Sequence, residues 1–248
     1  MELSSMFWES SLEEMKQGYI QEGDSFFCLL CGEKIEKGII YPYKDRLYEA
    51  ERFIRVHIES THESVFTYLL KMDKKLTGLT DHQKSLLQLF YQGKSDKEIQ
   101  NDLDVGSTST IRHHRFALKE KERQAKTFLA MMELLKEKDR YAPAFLPVHK
   151  TATMVDERYN VTQEEQKQII NRYFSEGSLT RFPPKEKQRL VVLREIANQL
   201  TIGRIYDEKE LNQSLKAFYE DYVLIRRYLI EYGLIDRKPD GSEYWVKK

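Results

Sequence analysis

The sequence predicts a mainly α-helical chain whose β-structure is confined to two small modules, one near each end. Three observations predict it. Two cysteines and two histidines fall at the spacing C-x2-C-x25-H-x4-H over residues 28–62. Helix start and stop signals recur from Thr80 to Gly233, with apolar residues at helical spacing between them. The stretch 234–246 alternates polar and apolar residues about a Pro-Asp-Gly turn, which reads as a hairpin.

A length of 248 residues with 40% hydrophobic content allows two or three small domains. The net charge is zero, so no global attraction draws the chain to nucleic acid. The charge is nonetheless uneven. Arg112, Arg115, Lys119, Lys121, Arg123 and Lys126 stand against only Glu120 and Glu122, whereas residues 1–24 lean acidic. No apolar run approaches a membrane span, and the N-terminus lacks the basic start and apolar core of a signal peptide. The expectation is a cytoplasmic protein with no membrane partner.

Residues 24–70 form the first expected module. Ile35 to Tyr43 is rich in β-branched and aromatic residues and reads as a hairpin. From Asp45 the pattern turns helical, with Leu47, Phe53, Ile54 and Ile58 among charges and His57 and His62 at the end. Gly32 allows a tight turn after the cysteines. Two thiolates and two imidazoles at the ends of a hairpin and a helix close a tetrahedral site, so Cys28, Cys31, His57 and His62 are expected to hold Zn2+ in a small zinc-finger-like ββα module. With no open coordination position, the metal is structural, and the module draws much of its stability from it. Two alternatives remain: a buried cysteine pair with two surface histidines, or a redox C-x-x-C. The redox motif opens a helix in a βαβ setting, and no such pattern is visible. Glu49 and Glu51 beside Arg52 and Arg55 make a poor basic stripe, so protein contact or folding stands beside DNA contact as the module's role.

Residues 77–138 read as helix, helix, sharp turn, helix. Thr80 or Asp81 caps the first, which carries Leu86, Leu87, Leu89 and Phe90 and ends at Gly93. Ser95 opens the second with Glu98 as its capping-box partner, and Ile99 and Leu103 face inward. Gly106 lies at the turn, and Ile111 packs back beneath the third helix. This is a helix-turn-helix, and its third helix presents short hydroxyls and then cations to a major groove. Ser107, Thr108, Ser109 and Thr110 with their backbone N–H groups are placed to hold a phosphate. Arg112, His113 and Arg115 project from the first turns toward base edges or phosphates. No further Gly or Pro occurs until Pro143, so this helix is expected to run to about Lys138, with Phe128, Met131, Met132 and Leu135 as an apolar stripe. The stripe packs on another domain or pairs with its twin. A homodimer reading paired half-sites is the favoured expectation.

The residues Leu79-Thr80, Gly93-Lys94-Ser95-Asp96-Lys97-Glu98-Ile99, Leu103, Thr110-Ile111-Arg112 and His114 together resemble the helix-turn-helix of LuxR/GerE-type bacterial transcriptional regulators. The turn before Thr110 departs from that family in its length and in its Gly-Ser-Thr-Ser run. The resemblance implies regulation through double-stranded DNA.

Residues 139–160 hold two prolines and no helical period and are read as a connector. Phe145, Leu146, Val148, Met154 and Val155 make it apolar enough to lie on a surface. His149 is assigned no role.

Residues 161–248 begin with a helix capped by Thr162 and Glu165. Leu190, Val191, Leu193, Ile196, Ala197 and Leu200 pattern a second helix, and Asp207 with Glu210 caps a third. A fourth spans about Asp221–Tyr232 and stops at Gly233, before the hairpin. Helices followed by a two-stranded hairpin describe a winged-helix-like domain. Arg226 and Arg227 lie on its groove-facing helix, Lys238 in the wing turn, and Lys247 and Lys248 close the chain. The same fold also serves protein contact. Arg181-Phe182-Pro183-Pro184-Lys185, Arg189–Leu193, Asp221-Tyr222, Arg226-Arg227-Tyr228-Leu229 and Tyr232-Gly233-Leu234 resemble a bacterial domain of unknown function, found alone or behind helix-turn-helix regulators, over roughly residues 170–246. It implies a transcriptional regulator with no known ligand.

The functional expectation is a sequence-specific DNA-binding regulator, dimeric and stabilised by zinc. The alternative is a zinc-stabilised adaptor that binds proteins through its helical surfaces. No nucleophile with a base, Gly-rich phosphate loop or pair of catalytic carboxylates stands out, so an enzyme is not expected.

Overall fold

The computed structural model describes residues 3–104 and 106–247; Lys248, read with Lys247 as closing the chain, lies outside them. The chain divides into two compact units, one of residues 1–77 with 144–248 and one of residues 78–143. It is mainly helical, with small antiparallel sheets.

The first unit opens with α1 (Leu3–Glu9) and α2 (Leu12–Gln17). Strands β1 (Tyr19–Glu22), β2 (Ser25–Cys28) and β3 (Lys34–Glu36) form an antiparallel sheet in that order. β4 (Ile40–Tyr43) and β5 (Arg46–Glu49) make a separate hairpin, followed by α3 (Ala50–His62), α4 (Val65–Lys71) and α5 (Lys74–Thr77). Helix α3 buries Ala50, Ile54 and Ile58, an i, i+4, i+8 stripe, against Phe26 and Ile35 of the sheet.

Two expectations are corrected here. Ile35–Tyr43 is not one hairpin: Ile35 pairs with Phe26, whereas Tyr41 pairs with Tyr48 in the other sheet. The residues from Asp45 do not start the helix. Lys44 takes a left-handed φ of 52°, which turns the chain back into β5 and leaves Leu47 73% exposed. The module is therefore a three-stranded sheet, a hairpin and a helix rather than ββα.

The second unit holds α6 (Asp81–Tyr91), α7 (Asp96–Asp102) and α8 (Thr108–Lys136). Thr80 with Gln83 and Ser95 with Glu98 form reciprocal capping boxes, and Ser107 caps α8. Leu86, Ile99 and Ile111, one from each helix, are fully buried against one another, ringed by Leu89, Phe90 and Leu103. Helix α8 has 29 residues and so spans about 43 Å. Everything in it from Lys121 onward is exposed, including Phe128, Met131, Met132 and Leu135.

The first unit resumes with α9 (Gln163–Tyr173), the short pair β6 (Phe174–Ser175) and β7 (Ser178–Leu179), α10 (Glu186–Gln199), β8 (Ile205–Tyr206), α11 (Glu208–Lys216), α12 (Tyr222–Glu231), β9 (Ile235–Arg237) and β10 (Tyr244–Val246). The last sheet has three strands in the order β8-β10-β9. β8 is too short to leave a pattern in the sequence. Helix α10 buries Leu190 to Leu193, Ile196 and Ala197 at the centre of the largest core, against Leu211, Leu215, Ile225, Leu229 and Tyr244. No described helix is long and apolar enough to cross a membrane.

Residues 144–153 do more than lie on a surface. Leu146 bonds backbone to backbone with Val161, the Trp8 indole N–H donates to the Val148 carbonyl at 2.6 Å, and His149, Lys150 and Ala152 are buried.

Candidate metal centre and candidate nucleic-acid interface

Cys28 ends β2, and Cys31 lies in the turn to β3. Gly32, at φ 82°, lets its N–H reach the Cys28 carbonyl at 2.8 Å, and the Cys28 N–H donates to Glu33 at 2.9 Å. This tight loop points both sulfurs at the end of α3, where His57 and His62 project. Cys31 Sγ lies 3.2 Å from His57 Nε2, and Cys28 Sγ lies 3.7 Å from His62 Nε2. The four ligand atoms all lie within 4.8 Å of one another, and both cysteines are free and buried. The arrangement is close enough to bind a metal ion, and the sequence-predicted set comes together complete.

The two thiols do not ionise alike. The Cys31 sulfur accepts a hydrogen bond from Cys28, which with those from His57 and His62 holds its pKa far below the thiol range against the cost of burial. The Cys28 thiol, which donates that bond, is pushed up by it, by burial and by the neighbouring charge. A cation held by both sulfurs would displace whatever thiol protons the pair carries. Around the ligands, the Thr61 hydroxyl stands 3.5 Å from His57 Nδ1, and Tyr68 meets the His62 ring edge-on.

The cations read as DNA contacts do not share one environment. Arg112 and His113 are exposed on the first turns of α8. Arg115 faces inward: its Nε donates to Asp96 at 2.9 Å, and its guanidinium lies 3.7 Å from the centre of the Phe90 ring. It ties α8 to α7 and α6. Ser107 accepts from the Thr110 N–H, and its hydroxyl lies within hydrogen-bond reach of those of Ser109 and Thr110. Thr108 begins the helix and is half-buried. In the C-terminal module Arg226 donates to Glu208 at 2.7 Å and to Asn212 at 2.6 Å, and it lies over Tyr244. Arg227 is exposed over the Tyr228 ring, and Lys238 pairs with Glu243 across the hairpin turn.

Sequence reasoning passed over His149 and Lys150. Lys150 is 4% exposed, and its ammonium donates to the carbonyls of Leu29 and Leu30, at 2.7 and 3.0 Å, inside the loop between the two cysteines. A His-Lys-Thr run inside an apolar connector was the available signal.

Residues 178–246 match a family described as an uncharacterized protein conserved in bacteria (DUF2087). No curated protein and no solved structure matches the chain.

Proposed function

We propose that the chain is a cytoplasmic, sequence-specific DNA-binding regulator of transcription that works as a homodimer and carries a structural Zn2+. The observation that carries this reading is the start of α8. There the exposed Arg112 and His113 stand at the N-terminal end of a helix already fixed from beneath by Ile111 and Arg115. The succession α6, α7, turn, α8 around one small core supports a helix-turn-helix. The order α10, β8, α11, α12, β9, β10, with β10 central in the sheet, supports a winged helix. The exposed apolar stripe of α8 supports pairing with a second copy.

Zinc fits the ligand set. Bonds of about 2.3 Å to sulfur and about 2.05 Å to nitrogen in a tetrahedron place sulfur and nitrogen about 3.6 Å apart. The observed separations of 3.2 and 3.7 Å bracket that value. Cys28, Cys31, His57 and His62 would fill all four positions, and the ion would lock the β2–β3 loop to α3.

A second reading, protein contact, is favoured for the C-terminal module by one observation. The side chain of Arg226 is spent on Glu208 and Asn212, while Val223 on the same helix is 52% exposed. The test is capture of fragmented genomic DNA by the zinc-loaded protein at roughly physiological ionic strength, where non-specific binding is weak. Enrichment of a few sites sharing a paired motif is expected. Flat recovery by folded, metal-loaded protein overturns the DNA reading and leaves the adaptor.

A further inference from the structure

The segment His149–Thr153 bonds in two directions. Toward the C-terminal module, His149 Nε2 stands 3.0 Å from the Tyr232 carbonyl, Thr151 Oγ1 donates to Gly233 at 2.7 Å, and Thr153 Oγ1 donates to Glu231 at 3.0 Å. All three acceptors lie at the C-terminal end of α12 or in the turn into β9. Toward the metal centre, Lys150 alone reaches out, to Leu29 and Leu30, the two residues enclosed by Cys28 and Cys31. One short strap therefore holds the cysteine loop on one side and the α12–β9 corner on the other.

The strap is tight at both ends. Gly233 takes φ 74°, and a Cβ there would overlap the Thr151 carbonyl oxygen. Only glycine permits this approach. At the other end the Lys150 ammonium is enclosed by the rings of Phe7 and Tyr68, each centred 5.3 Å away. Burying an ammonium is expensive, and a neutral side chain would fill the same space without that cost. The return is specific to this place. The two carbonyls that receive it belong to Leu29 and Leu30, the residues the sulfurs enclose.

We propose that Lys150 is a positioning residue of the metal centre, and that the strap joins metal loading and the α12–β9 corner in a single equilibrium. Metal binding fixes the Cys28–Cys31 loop, the loop fixes Lys150, and the strap then holds the end of α12. Removing the metal loosens that end. The inference rests on the metal reading of the four ligands. Loading of the module would thereby set the order of the helix that the C-terminal module offers to its partner.

The test is hydrogen–deuterium exchange on the full chain, with zinc and after chelation, together with zinc affinity by chelator competition. It uses wild type, Lys150→Met and Thr151→Val. In wild type, chelation should speed exchange over Leu229–Arg237 about tenfold or more. Lys150→Met should weaken zinc binding roughly tenfold, as loss of an outer-shell partner does, and exchange at that corner should no longer respond to zinc. Thr151→Val should keep wild-type zinc affinity and blunt the same response. A corner that responds to zinc in Lys150→Met as it does in wild type overturns the proposal. If Lys150→Met does not fold, an undiminished response in Thr151→Val overturns it. Wild type that takes up zinc with no change at α12 overturns the coupling alone. Wild type that takes up none overturns the metal reading and the coupling together.

Discussion

His149 makes a pH-dependent contribution to stability whose sign and size follow from its surroundings. It is 5% exposed, with Nε2 3.0 Å from the Tyr232 carbonyl and Nδ1 3.3 Å from the Tyr159 hydroxyl. A carbonyl only accepts, so Nε2 carries the proton and Nδ1 accepts from the phenol. Both ring nitrogens are satisfied in the neutral form, and protonation would break the bond to Tyr159. Burial pushes the pKa down to about 4. The Tyr232 carbonyl opposes this, and the charges of Arg194 and Lys247 act with it.

In the unfolded chain the pKa returns to about 6.5. The folded value is the lower of the two, so the unfolded state binds the extra proton between them. The contribution is complete above about pH 6.5 and is lost as pH falls toward 4. At 1.36 kcal/mol per unit the whole window is worth about 3 kcal/mol, of which roughly 2.5 kcal/mol is gone by pH 4.5. The perturbation is His149→Gln, whose amide N–H still reaches Tyr232 but does not titrate. Urea unfolding of both proteins, zinc present throughout, should be followed from about pH 7.5 to about pH 4.5. Carboxylates and metal ligands titrate in both proteins and cancel in the difference. The variant should be the less stable near neutrality, and the gap should close by about 2.5 kcal/mol on acidification. Curves that stay parallel within about 0.5 kcal/mol would refute the neutral, buried histidine and the packing of the strap around it.

The remaining predictions concern the second unit. Arg115→Ala should lower its stability by about 1 kcal/mol, read as a fall in melting temperature, because it loses the Asp96 bond and the Phe90 contact at a site only partly shielded from water. Arg112→Ala with His113→Ala should leave melting unchanged while weakening DNA binding and flattening its salt dependence; unchanged affinity would remove α8 from the reading role. Phe128→Glu with Met132→Glu should give a monomer in sedimentation equilibrium where the parent is a dimer. Two species of equal mass would refute the α8 seam.

What the sequence made legible was local. Reciprocal caps at Ser95–Glu98, Thr162–Glu165 and Asp207–Glu210 are each complete within four residues, so their spacing alone announces them. The ligand set was legible for a related reason, since Cys-x2-Cys and His-x4-His each place two donors within a short stretch of chain, Cys28 to Cys31 and His57 to His62. Partnerships across long stretches were not. Arg115 reads like a base contact from its neighbours, yet its partner lies 19 residues back, on another helix. Arg226 reads as a groove residue until Glu208 and Asn212 are brought beside it by the α11–α12 packing. The β5 strand was lost because four residues cannot separate a period of 2 from one of 3.6, and the positive φ of Lys44 that decides the matter is not the glycine such turns usually advertise. The strap failed most completely, and its case is the most instructive. Its acceptors lie 120 and 121 positions away on one side and about 80 on the other, so no window of sequence contains both ends. A patternless segment is commonly dismissed as a loop, but a loop must still satisfy the polar groups it buries. His149, Lys150 and Thr151, set between Val148 and Ala152, posed that question in the sequence, and only the fold answers it.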